Sequence, residues 1–322
     1  MADRVRSQRA AAPLGTLSAA FERSGSPFWL MDRIQQQGLD RAQGFELQVN
    51  YGGDQWQGGR HATEAALVNG EVDFIDCDWL TLLRCRREGL PITAVYPYGR
   101  ILGGLVVPPA SRIREPTELR GRRIGVVNRN DKNWLLLRTY TQRLLDLDLD
   151  RQASIVEAGS KTTLGEWLQQ GQLDAALVYW HQIPALVQQG YRLLVDIPLL
   201  LPALGSAAAP TTFFIFRDQL IAEQPALVQA FIAAYEAARR QLMQDERCWQ
   251  RIGHELLALD NAELLTQLRR SWASRIAQPW NVAQLEGLWP LTELLQGGTR
   301  QQFEQAFAWD FMQHQPPVGA EP

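Results

Sequence analysis

Four short stretches carry residues able to grip a small molecule. In "ERSGSPFW" (Glu22–Trp29), Ser24, Gly25 and Ser26 offer hydroxyl and backbone N–H donors to an anion. Pro27 there suits a first helical turn, and Phe28 stands beside it. In "GGDQWQGGRHAT" (Gly52–Thr63), the glycines, Gly58 among them, permit close backbone approach, and Gln57, Arg60 and His61 supply polar contacts. Arg60 matches a sulfonate or carboxylate through two parallel N–H groups, although a solvated surface is the better reading of a lone loop Arg.

The third stretch is "DCDW" (Asp76–Trp79), in which Asp76 and Asp78 share one side of an extended chain. Two carboxylates there favour a cationic or amine-bearing ligand, or hydrogen-bond a heterocycle. Asp78 also suits capping the helix "WLTLLRCRR" that follows, and capping is its better reading. In the fourth, "NRNDKNWLLLR" (Asn128–Arg138), Asn130 or Asp131 caps a helix and leaves Asn128, Lys132, Asn133 and free N–H groups for a ligand. Phe28, Tyr96, Trp79 and Trp180 lie in or beside such loops as walls for a flat or apolar ligand body.

Reactive constellations do not emerge. His61, His181, His254 and His314 are scattered, with no cysteine or acid at a catalytic or zinc spacing. There is no G-x-S-x-G, and no phosphate-binding glycine loop with a lysine. Cys77, Cys85 and Cys248 have no metal-ligand spacing, and their odd number leaves at least one thiol unpaired within the chain. The chain reads as a binding protein rather than an enzyme, without cofactor or metal.

The elements that must position these loops are written twice. "NGEVDFIDCDW" (Asn69–Trp79) and "QGQLDAALVYW" (Gln170–Trp180) align Gly70 with Gly171, Asp73 with Asp174 and Trp79 with Trp180. Each phrase follows a helical segment, and its glycine suits the left-handed turn that ends a helix. A short apolar run then reads as a buried parallel strand, the second half of a βαβ crossover. Upstream, "PLGTLSAAF" and "GRRIGVVN" match as first strands, and "GFELQVNYG" and "ASIVEAG" as second ones. Two α/β lobes follow from this order, with Trp79 and Trp180 ending equivalent strands and facing one cavity.

At 322 residues, 46% hydrophobic and 21% charged, the chain is long enough for two such lobes. A net charge of -3 gives no support to a nucleic-acid partner. No apolar run reaches the roughly 18 residues of a membrane span. The Arg-rich start is broken by Pro13 and Gly15 and does not read as a secretory leader. The segment "LPITAVYPYGRILGGLVVPP" leaves the first lobe as two strands around Tyr96-Pro97-Tyr98, and "YRLLVDIPLLLPALGSAAAPTTFFIFRD" returns through Pro- and Ala-rich loops. From Gln219 the pattern is helical, packing back on lobe one, with a disordered tail "QPPVGAEP".

The series "PFWLMDRIQQQGLDRAQGFELQVNYGG", "EAALVNGEVDF", "PTELRGRRIGVV", "LGEWLQQGQLDAALVYW" and "TTFFIFRDQL" resembles the nitrate, taurine and aliphatic-sulfonate binding proteins of ABC importers. That superfamily also includes proteins of thiamine-pyrimidine metabolism. The resemblance implies a type II periplasmic-binding fold, with lobe one at residues 1–97 plus 213–322 and lobe two at 98–212. It further implies a monomer that clasps a small-molecule ligand, hands it transiently to a membrane permease, and works outside the cytoplasm. In this family the loop at Asn128–Arg138 contacts the anionic end of the ligand, and Asp131 departs from that pattern. The thiamine-pyrimidine enzymes carry a Cys-rich run in the return segment, where this chain has "LPALGSAAAPTTFFIF". A cytoplasmic ligand sensor on the same fold is the other alternative.

Overall fold

The computed structural model describes residues 13–23, 25–57, 60–206, 209–257, 259–276 and 281–313. Ten of its strands form two five-stranded sheets of identical plan. The first has the order β2-β1-β5-β12-β6, made of β1 (Gly15–Glu22), β2 (Phe45–Gly52), β5 (Phe74–Asp78), β6 (Ile92–Arg100) and β12 (Pro210–Arg217). The second, read in the same direction, runs β9-β8-β10-β7-β11, from β7 (Gly103–Val107), β8 (Arg123–Val126), β9 (Ser154–Glu157), β10 (Ala175–Tyr179) and β11 (Arg192–Asp196). A small hairpin, β3 (Trp56–Gln57) with β4 (Arg60–His61), hangs from the first sheet.

In each sheet three strands are parallel, and the fourth in order is antiparallel. That antiparallel strand is the first one the chain forms on arriving from the other sheet: β7 after β6, and β12 after β11. The outward crossing falls at Ile101–Leu102, because β6 continues through Tyr96-Pro97-Tyr98 rather than breaking there. Pro97 is tolerated because β6 is an edge strand and its register against β12 shifts beside the proline. The return is less loop-like than expected, since Ile197–Leu199 and Leu200–Ala203 are helical.

The doubled phrase has a physical reading. Gly70 and Gly171 adopt φ of 83° and 70°, the left-handed conformation that stops each preceding helix. Asp73 then accepts the backbone N–H of Ser18 at 2.8 Å, and Asp174 accepts that of Arg123 at 2.8 Å. Each aspartate therefore ties its strand to the neighbouring first strand, β5 to β1 and β10 to β8. The shared register aligns the two sets of strand ends.

β12 is buried at every position but Arg217, with the apolar run Phe213–Phe216 at its centre, because it is covered on both faces. Phe213 and Ile215 enter a core that continues beneath both sheets, while Phe214 and Phe216 pack under the helix Pro225–Gln244. There Phe74 stacks on Phe216 at 4.5 Å and Phe231 closes over both. The late helices return to the first sheet as their pattern predicts. Ala94 of β6 bonds to Ala306 and Ala308 at 2.9 and 2.8 Å. Among the described residues no helix is long and apolar enough to cross a membrane. The predicted disordered tail lies outside the described residues.

Candidate functional site

A cavity of about 140 Å³ lies where the carboxyl ends of β1 and β5 meet those of β8 and β10. Open α/β sheets place ligands at such strand ends. Gly25, Ser26, Asp76, Lys132 and Trp180 line it, together with residues of both sheets and Arg275 of the helix Ala262–Ile276.

One wall is a chain of charges. Glu22, the last residue of β1, lies 2.7 Å from His61 Nε2 and pairs with the Lys161 ammonium. His61 Nδ1 accepts the Thr63 N–H, so in the neutral ring the remaining proton sits on Nε2 and is donated to Glu22. Burial pushes the Glu22 carboxyl upward, but Lys161 and His61 more than offset it, leaving it well below the usual carboxylate range. Lys161 also rides over the Tyr179 ring at 4.7 Å. Tyr179 donates its hydroxyl to Asp131, which holds the start of the Lys132–Leu144 helix by accepting Asn133 N–H at 2.8 Å.

Most helix starts around the cavity are already capped. Asp78 accepts the N–H groups of Leu80 and Thr81, both at 3.0 Å, and Asp131 fills the corresponding place on the Lys132 helix. The helix Ser26–Gln37 starts at Gly25, which has no side chain to cap it. Its positive end therefore stays available to an anion beside Ser26. The Ser26 hydroxyl bonds to that of Tyr98.

Three charged groups in the cavity lack a partner of opposite sign among the described residues. Asp76 makes no side-chain hydrogen bond there, and burial, then the nearby Glu22, push its carboxyl up to about 6 against the pull of Arg275 and Lys161. Lys132 is buried with no ion pair, its ammonium 5.9 Å from the Tyr179 ring centroid. Arg275, 7% exposed, donates to Thr212 Oγ1 at 2.9 Å and lies over the Tyr98 ring at 5.0 Å. Its close approach explains Gly99, where a Cβ would stand 2.7 Å from Arg275 Nε. His181 is kept neutral, pushed down to about 3 by burial and by the Lys161 charge.

Other expected residues sit elsewhere. Trp79 is fully buried and its indole N–H donates to Thr292 Oγ1 at 3.0 Å. Because Asp78 caps the helix Trp79–Arg87, Trp79 becomes its first residue and turns toward the helix Trp289–Leu295. Tyr96 is buried under the helix Pro225–Gln244 against Tyr235 and donates to Glu236 at 2.8 Å; Tyr98, two residues on along the same strand, reaches the cavity instead. Phe28 packs edge-on against Tyr51 with ring centroids 4.7 Å apart. Arg60 pairs with Glu88. Asn128 accepts Asn130 N–H at 2.7 Å within its own loop, and Asn133 is buried against Gly103. Gln57 pairs through its backbone with Arg60, while Ser24 and Gly58 fall outside the described residues.

Arg275 had no local signal, since it comes from a C-terminal helix far along the chain. Lys161 had only its rarity among basic residues. A side chain that fills a cavity from another element leaves no periodic trace in its own.

A model described as NMT1/THI5 like matches residues 36–247. No curated protein sequence matches. Among solved structures, a protein from Bordetella bronchiseptica RB50 superposes with TM-score 0.74 at 15% identity, over 92% of this chain and 96% of that one. The alkanesulfonate-binding protein SsuA from Xanthomonas axonopodis pv. citri, bound to MOPS, gives 0.67 at 19% identity, over 92% and 99%. The desulfurization enzyme DSZB gives 0.60 at 18% identity, over 93% and 98%. The fold is that of the periplasmic binding proteins, a scaffold that serves receptors and enzymes alike.

Proposed function

The chain belongs to the NMT1/THI5-like family, and we propose that it is a solute-binding receptor that delivers a small organic ligand to an ABC importer. The first sheet, with the helices that follow β12, forms one lobe and the second sheet the other, and they close on the ligand by a hinge motion about the two crossings. The receptor acts as a monomer outside the cytoplasm and meets its permease transiently.

The observation that carries this reading is the cavity itself. It is walled by both sheets, and it holds Asp76 from one and Lys132 from the other without partners of opposite charge. Buried charges without partners are costly, and a ligand that supplies the partners offsets that cost. The ligand is small and polar, with a hydrogen-bond donor for Asp76 and an anionic group for Lys132 and the open start of the Ser26 helix. Trp180 supplies an apolar wall for its body. A bare nitrate meets only the anionic half of these demands.

A binding role rather than catalysis is supported by the pairing of the polar groups. Ser26 bonds to Tyr98 rather than to an imidazole, and burial raises the Cys77 thiol well above its usual range, away from the reactive thiolate. A thermal-shift screen across sulfonates, aminosulfonates, nitrate, amines and pyrimidines tests the reading, because a bound ligand raises apparent stability by mass action. The proposal predicts a shift from at least one amphoteric compound; stabilisation by none of these classes contradicts it.

A further inference from the structure

One set of contacts between the two sheets lies beside the ligand space. The helix Lys161–Gln169 of the second sheet carries at its start a carboxylate from the first. Asp54, in the loop after β2, accepts the N–H of Lys161 at 2.8 Å and that of Thr162 at 3.2 Å. Asp54 is only 7% exposed. Two residues later the Trp56 N–H donates to the Gly159 carbonyl at 2.9 Å, and the Trp56 ring packs on the core beneath the second sheet. Lys161 reaches back to Glu22.

The same helix also has its own cap. Ser160 Oγ accepts the Thr163 N–H at 3.0 Å. The helix start therefore survives without Asp54, which supplies a second, separable cap from across the cleft. Parting the two halves exposes Asp54 to water and leaves the Lys161 and Thr162 N–H groups uncapped, so it loses favourable contacts with no ligand involved.

We infer that Asp54 is a latch, a positioning residue that docks this helix onto the first half and holds the Lys161 ammonium over the cavity. The chain then supplies part of its own closing free energy, and ligand supplies the rest. This rests on the hinged, two-lobed reading proposed above.

The test uses the full-length, ligand-free protein and its Asp54→Ala and Asp54→Asn variants, followed by small-angle scattering and amide hydrogen exchange. Asp54→Ala is expected to lower the closed-to-open ratio about fivefold, the effect of losing one helix cap. Its radius of gyration rises, and the Lys161 and Thr162 amides exchange about fivefold faster. The Thr163 amide, held by Ser160, keeps its wild-type protection. Asp54→Asn keeps an acceptor in place and recovers most of the closure. The latch is overturned by a cooperatively folding Asp54→Ala protein with wild-type dimensions and exchange, or by one in which Thr163 loses protection as well. Failure of the latch alone shows as equal ligand-free dimensions in wild type and variant, with both still compacting on a ligand found by thermal shift. If neither compacts on that ligand, the hinged reading fails and the latch with it.

Discussion

The indole of Trp180 meets that of Trp29 edge-on, with ring centroids 5.8 Å apart and planes at 84°. The two belong to different halves: Trp29 lies on the Ser26 helix over the first sheet, and Trp180 opens the turn after β10 of the second. Trp180 is part of the first sheet's aromatic core while also lining the cavity. Trp56 makes the reciprocal insertion into the second core. Each half thus seats a tryptophan in the other, and the cavity lies between the two seats.

Trp180→Ala is therefore expected to act twice. It removes a wall, lowering ligand affinity at least tenfold, and it removes a buried ring, costing about 3 kcal/mol of stability. Trp180→Phe keeps an aromatic edge against Trp29 and recovers most of the stability. Calorimetric titration alongside thermal denaturation separates the two effects. An unchanged affinity for Trp180→Ala removes this ring from the site.

Trp79, its counterpart in the repeat, gives the contrast. Trp79→Phe loses the bond to Thr292 and is expected to cost about 1 kcal/mol, leaving affinity at the wild-type value. A fall in affinity comparable to that of the Trp180 variant would contradict the placement of this side chain.

Asp76 makes stability depend on pH. Its carboxyl is raised from 3.8 to about 6, so between those values the folded chain keeps a proton that the unfolded chain has released. The Asp76 contribution to stability is greatest below that interval and falls as pH rises through it, by about 3 kcal/mol at most. Asp76→Asn removes this part of the dependence and is more stable than wild type at neutral pH, the gap closing toward pH 4. Denaturant melts across this range decide it; parallel curves for the two proteins count against a half-buried, unpaired carboxyl.

Glu22 works in the opposite sense. Its carboxyl is depressed, so its contribution is present above the unfolded value of 4.5 and fades as pH falls below it. Glu22→Gln leaves Lys161 and His61 without their acid and is expected to cost about 3 kcal/mol at pH 7. Chemical denaturation at pH 7 and pH 3 measures the difference, which shrinks at the lower pH.

Much of the architecture was legible because it was written twice. The glycine, aspartate and strand of each phrase do the same local work, so Gly70 and Gly171, or Asp73 and Asp174, support one another's reading. Asp78 was legible as a cap because capping depends on the next three residues alone. The tryptophans closing the two phrases look equivalent and are not. A helix starts at Trp79, while Trp180 is followed by a turn before the helix Ile183–Gln188, and only the turn leaves the ring at the cavity. The Tyr96 expectation stopped two residues short of Tyr98, because strand alternation names a face but not a depth along it. Arg275 was hidden for a further reason, since its place depends on how a distant helix packs against β6.

The central claim is that two halves close on a small ligand at Asp76, Lys132 and Trp180. Pulsed dipolar spectroscopy reads it most directly, with one spin label on the exposed face of each half and the same ligand added to wild type and to the Asp76→Asn, Lys132→Met double variant. The account predicts that ligand shortens and narrows the distance distribution in wild type and leaves the variant unchanged. A distribution that ligand leaves untouched in wild type, despite proven binding, contradicts it.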